Sequence, residues 1–154
     1  MPTFMHAPLR DISAETLYKL LWLRISVFVV EQRAAYPDLD GRDLEPDTQL
    51  VWLEEEDEVL ATARILFDAA TATSDRMIRV GRVATAANAR GRGLGSELMQ
   101  AVIGRVEQRE PHVPITLDAQ KHLAHWYAQF GFAISGAEFI EDGIPHVPMT
   151  RPAL

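Results

Sequence analysis

A chain of 154 residues suits one compact domain, read as a single unit over residues 1–154. With 47 % apolar and 24 % charged residues it has an ordinary globular balance, and the absence of cysteine excludes disulfides, thiolate zinc sites and a cysteine acyl-enzyme. The net charge of −7 argues against nucleic acid as a partner, no apolar run is long enough for a membrane span, and Pro2 and Pro8 interrupt a start that lacks a signal-peptide core, so the expected setting is cytoplasmic.

Ser13 reads as a helix N-cap, followed by Leu17, Leu20, Leu21 and Ile25 as a core-facing stripe. Val27 to Val30 then runs apolar into Glu31-Gln32. Residues 34–47, polar and carrying Pro37, Gly41 and Pro46, predict a long loop or broken helix, and long loops in compact domains are often functional. Leu50 to Leu53 and Val59 to Phe67 predict an antiparallel hairpin around the run Glu54 to Glu58, which reads as a solvated acidic turn. Met77 to Ala84 predicts a third strand with Ile78 and Val80 on one face and Arg79 on the other. Leu94, Leu98, Val102 and Val106 predict an amphipathic helix over residues 93–107. A short strand at Ile115 to Ala119 leads to a second helix over 120–130, ended by Gly131. Phe132 to Ser135 and His146 to Thr150 predict two last strands around a turn at Asp142-Gly143. The order predicts an α/β (α+β mixed) fold: a central, mostly antiparallel mixed sheet with one parallel crossover, flanked by helices.

The strongest chemical signal is Arg90-Gly91-Arg92-Gly93-Leu94-Gly95, after a strand and opening a helix. Glycines there admit positive φ and close ligand approach, and N–H groups at a helix start form an anion nest aided by the dipole. A P-loop would place Gly-Lys-Ser/Thr at its end, but Gly95 is followed by Ser96-Glu97. A dinucleotide fold would place the turn after the first strand, whereas several strands precede this one.

Arg90-x-x-Gly93-x-Gly95 resembles the cofactor motif of the GNAT superfamily of N-acetyltransferases, and Ala124 to Phe132, a helix bearing Tyr127 that ends in Gly131-Phe132, resembles its later motif. The segments 23–32, Tyr36 to Asp43, Gly81-Arg82-Val83 and Glu141-Asp142-Gly143-Ile144-Pro145-His146 are similar to the ElaA-like branch of that superfamily. The resemblance implies a GNAT-like fold with acetyl-CoA as acyl donor and no metal. It implies that Arg90, Gly91, Arg92, Gly93, Leu94, Gly95 and Ser96 hold the pyrophosphate and that Val83, Ala84 and Thr85 pair with the pantetheine arm. It places Tyr127 as the acid that protonates the departing thiolate.

The implied reaction is direct acetyl transfer to a primary amine of a small molecule or peptide. Presenting a lysine-like amine neutral at pH 7 costs about 4–5 kcal/mol, so a base helps. Glu31, after an apolar run whose burial would raise its pKa, is the first base candidate, and the alternative for it is a helix-end carboxylate paired with Arg24 or Arg82. Asp40, Asp43, Glu141 and His146 are further candidates, or else line an acidic mouth that attracts a cationic amine. The competing functional reading is a catalytically silent acetyl-CoA-binding regulatory module. Edge strands near His146 to Thr150 would offer pairing between subunits into a homodimer.

Overall fold

The computed structural model describes residues 1–34 and 36–154. Its sheet is built from β1 (Thr3–Ala7), β2 (Gln49–Glu55), β3 (Glu58–Asp68), β4 (Met77–Thr85), β5 (Ile115–Gln120), β6 (Ala133–Ile134), β7 (Phe139–Glu141) and β8 (Ile144–Arg151). The order across it is β1-β2-β3-β4-β5-β8-β6, with β7 also on β8. All neighbours are antiparallel except β4 and β5. The crossover joining that parallel pair carries α2 (Leu94–Arg109).

Alternation along the strands makes two cores. Val51, Leu53, Ile65, Ile78 and Val80 meet Leu98, Met99, Val102 and Val106 of α2 on one face. Leu50, Trp52 and Val59 meet Leu20, Leu23, Val27 and Phe28 on the other. Each fully buried aliphatic side chain contributes roughly 1.5–3 kcal/mol, which holds the sheet rigid between its layers.

α1 (Ala14–Ile25) starts as expected: the Ser13 hydroxyl accepts from the Thr16 N–H at 3.2 Å. Its inward stripe differs from the expectation. Ile25 is exposed, and Leu20, Leu23 and Arg24 are the buried positions. The register is set by a charged residue: Arg24 turns inward because Asp38 and Asp43 await it there. The β-branched run that follows does not continue as α-helix. Residues Ser26–Glu31 widen into a π-helical turn, with the Gln32 N–H donating to the Val27 carbonyl at 3.0 Å. β-Branched residues lose side-chain freedom in an α-helix, and π turns often mark functional sites.

The hairpin turn has Glu56 and Asp57 at φ 51° and 63°, both in the left-handed region, as a two-residue turn of type I′ requires. The run is not simply solvated, since Glu55 accepts from Arg92 at 3.1 Å. β1 and β7 are absent from the sequence expectation; each is short, and their burial shows no clear alternation. The second helix is far shorter than expected. β5 continues through Gln120, a tight turn takes Lys121–Leu123, and α3 is Ala124–Ala128. β8 is not itself a sheet edge: β5 lies on one side and the short β6 and β7 on the other, which form the edge there.

Candidate active site

The site exists because β4 and β5 part. They pair at Ile78↔Ile115 and Arg79↔Thr116, and among the described residues no rung follows. Further along β4, Arg82 and Val83 stand opposite the single residue Ala63, between the pairs Arg64↔Gly81 and Thr62↔Ala84. Arg82 adopts φ 52°, a left-handed conformation rare for a non-glycine residue. This bulge bends β4 out of line and opens a wedge between it and β5. Two concavities occupy the wedge.

The first is a cleft of about 590 Å³ between the π-helical turn and the glycine loop. Val83, Ala84, Thr85, Arg90, Gly91, Gly93, Leu94, Gly95 and Ser96 line it, as does Trp126 of α3. Gly91 and Gly93 hold φ 84° and 73°, and Gly93 caps α2 in the left-handed conformation with no capping side chain. The amides that open α2 therefore face an acceptor from outside the helix. A Cβ on Gly95 would lie 3.5 Å from the Trp126 ring, in ordinary contact, which places the Gly95 backbone and that ring side by side in the cleft wall. The bulged edge of β4, unpaired past Arg79, offers main-chain groups to an extended ligand. A pyrophosphate with a strand-like arm fits this set.

The charges differ from expectation. Arg90 donates two hydrogen bonds of 2.6 Å to the Glu31 carboxylate and reaches the Thr85 carbonyl at 3.3 Å. Arg92 turns to Glu55 and does not line the cleft. Glu31 is therefore corrected on two counts. It is exposed rather than buried, and its partner is Arg90, not Arg24 or Arg82. The Arg90 hydrogen bonds, outweighing slight desolvation, hold its carboxyl below the usual range. A carboxylate so held is a poor proton acceptor.

The second concavity, about 350 Å³, lies on the other side of the wedge. Its wall includes the loop that carries Tyr36 and Asp40, and that loop is fastened by a cage of three arginines and three aspartates. Arg24, 2 % exposed, donates to Asp38 Oδ2 at 3.0 Å, the Asp38 carbonyl at 2.9 Å, and Asp43 at 2.7 and 3.3 Å. Arg64 clasps Asp40 at 2.8 and 3.0 Å, and Arg82 lies 3.0 Å from Asp38 and 3.3 Å from Asp40. Burial pushes the Asp40 carboxyl up. The hydrogen bonds from Arg64 and the Arg42 N–H, with the Arg64 and Arg82 charges, outweigh that and hold its pKa at about 2.

The acidic-mouth expectation is corrected accordingly. Asp43 is buried in the cage and does not line the cavity, while Asp40 lines it already neutralised by arginine. Glu141 and His146, from the β7–β8 hairpin, do line it. Sequence reasoning missed the cage, although Arg24 set among Leu20, Val27 and Phe28 on one apolar face was its signal.

The two concavities share Gln32, Val83, Leu123 and Tyr127. Tyr127 is 7 % exposed, packed edge-on against Trp126 and Phe132, and desolvation pushes its phenol up to about 12. It stays protonated at neutral pH, as a proton donor must. Gln120 Nε2 donates to Gln32 Oε1 at 3.1 Å beside it.

A family model described as an acetyltransferase (GNAT) domain matches residues 10–152. The chain is 46 % identical over 144 residues to a UPF0039 protein of Mycobacterium tuberculosis, covering 93 % of this chain and 88 % of that one. It is 38 % identical over 146 residues to protein ElaA of Escherichia coli, covering 94 % and 92 %. The crystal structure of Escherichia coli ElaA is similar with a TM-score of 0.89 at 36 % identity, covering 98 % and 99 % of the two chains. That of an acyl-CoA N-acyltransferase from Pseudomonas aeruginosa is similar with a TM-score of 0.90 at 34 % identity, covering 98 % and 99 %.

Proposed function

The chain belongs to the GNAT acetyltransferase family, in its ElaA-like branch, and we propose from this that it transfers an acetyl group from acetyl-CoA to a primary amine by direct attack. The observation that carries the reading is the shared wall: a cleft suited to a pyrophosphate and a second cavity touch at Tyr127 and Val83. In this reading the donor lies along β4 with its thioester at the wall, and the acceptor enters from the other side. A free β4 N–H near Val83 polarises the carbonyl, and the Tyr127 phenol protonates the leaving sulfur. Without cysteine there is no thiol for an acyl-enzyme, which agrees with direct transfer.

The test is release of CoA thiol from acetyl-CoA across a panel of diamines, amino acids and lysine-terminated peptides, with butyryl-CoA as a second donor. Acceptor-dependent thiol release with an acetylated amine in the mass spectrum is the expected result. Tight acetyl-CoA binding with no acceptor-dependent release would select the silent binding module instead.

A further inference from the structure

The amine must lose a proton on the acceptor side of the wall, and the expected base, Glu31, lies on the cofactor side bound to Arg90. The acceptor cavity holds several titratable groups, most of them committed. Asp40 is clasped by Arg64, and Asp118 lies 3.6 Å from Arg79. Burial pushes the phenols of Tyr36 and Tyr127 up to about 12. Glu141 and Asp142 sit at the exposed tip of the β7–β8 hairpin.

His146 differs from all of these. Its side chain is 12 % exposed and its ring stacks on Phe139, with centroids 5.6 Å apart at 20°. Nδ1 lies 2.7 Å from the Ile144 carbonyl. A carbonyl only accepts, so Nδ1 carries a hydrogen, and Nε2 is left as the proton-accepting atom of the neutral ring. Glu141 Oε2 lies 4.0 Å from Nε2, across the mouth of the same cavity. His146 also pairs in register with Gln120. Paired residues share a face, with Cβ atoms roughly 4.5–5.5 Å apart. Gln120 in turn bonds Gln32 of the shared wall. The order from base to wall is thus His146, Gln120, Gln32.

We propose that His146 Nε2 is the general base that takes the proton of the acceptor amine. The inference rests on the amine-acetyltransferase reading above. An ammonium gives one proton to Nε2, and the freed lone pair forms the bond to the thioester carbonyl carbon. The carbon–sulfur bond breaks, and the sulfur takes the Tyr127 proton. The second proton of the nitrogen restores the Tyr127 phenol, and His146 releases the first to water. The sum is ammonium plus acetyl-CoA giving amide, CoA thiol and one proton.

The experiment compares two acceptors at pH 7 with wild type and His146→Gln. 1,4-Diaminobutane is almost wholly protonated at that pH, whereas the nitrogen of hydroxylamine is already neutral. His146→Gln should lower turnover with diaminobutane by roughly 10²–10⁴-fold. Turnover with hydroxylamine and the acetyl-CoA KM should stay within about threefold of wild type. Equal effects on both acceptors, or an unaffected diaminobutane rate, would overturn the assignment. A wild type inert to both would count against the parent reading, and His146 would then be judged by a second measurement. In the CoA-saturated wild type at pH 8, two-bond ¹H–¹⁵N spectra should show the His146 ring with Nε2 bare. A ring protonated on Nε2 would overturn the proposal whatever the acceptor, and whether or not the variant folds.

Discussion

Replacing Arg24 with Met removes four hydrogen bonds, to Asp38, to its carbonyl and to both oxygens of Asp43, from a site 2 % exposed. Three arginines and three aspartates balance in the cage, so the variant leaves one buried negative charge uncompensated. Breaking a buried pair in this way costs about 3–5 kcal/mol. Arg82 still reaches Asp38 at 3.0 Å and Arg64 still reaches Asp43 at 3.4 Å, which places the loss at the lower end, about 3 kcal/mol. For a chain of this length that is a fall in Tm of about 6–12 °C, measurable by calorimetry. The deficit should narrow as pH is lowered from 7 to 5, because the orphaned carboxylate can then take a proton. The damage should also be directional. The caged loop borders the second cavity through Tyr36 and Asp40, and none of its residues from 36 to 43 lines the glycine-loop cleft, so on the proposed reading acceptor KM should rise while CoA affinity holds. A loss under about 1 kcal/mol, as for a surface pair, would refute the cage as a structural unit. So would CoA affinity falling as fast as acceptor affinity.

Tyr127→Phe should lower turnover by about a hundredfold while acetyl-CoA binding, read by calorimetry, changes little; unchanged turnover removes the phenol from the chemistry. Glu31→Gln should leave turnover within about twofold and tighten CoA at low salt by about threefold, since a carboxylate leaves the cleft and Arg90 is freed. A loss of a hundredfold or more there would restore Glu31 as the base. Gly91→Ala forces a side chain onto φ 84° with nothing within 4 Å of the new Cβ, so its cost is conformational, about 1–2 kcal/mol by denaturant titration, with weaker CoA binding as the loop relaxes. Asp40 titrates at about 2 in the folded chain, below the unfolded carboxyl. Its contribution, about 1 kcal/mol after solvent screening, is complete above about pH 4 and disappears as pH falls toward 2. Asp40→Asn should flatten that part of the acid-unfolding curve.

Elements with strong local signals were legible in the sequence. The amphipathic period of α2, the β2–β3 hairpin and the Ser13 cap each rest on short-range physics, and each is found where expected. The glycine turn was legible for the same reason, because positive φ at Gly91 and Gly93 is a local demand. Long-range electrostatics were not. The Glu31–Arg90 pair spans 59 positions and the Arg24–Asp43 pair 19. Nothing in the apolar run before Glu31 reveals that a π turn will swing it into solvent beside the glycine loop. The bulge at Arg82 was equally silent, since arginine carries no preference for a left-handed φ and only the register with β3 exposes the extra residue.

That bulge also changes the mechanics of the molecule. Two rungs between β4 and β5 make the sheet a pair of leaves sharing a short spine, β1 to β4 in one and β5 to β8 in the other. An extended ligand bonded along the parted edge of β4 would also rest against Trp126 and Tyr127 of α3, which follows β5, so filling the gap should couple the two leaves. Amides along the parted edges of β4 and β5 should exchange with solvent faster than those of the β2–β3 hairpin in the free chain, and slow together when the seam is filled.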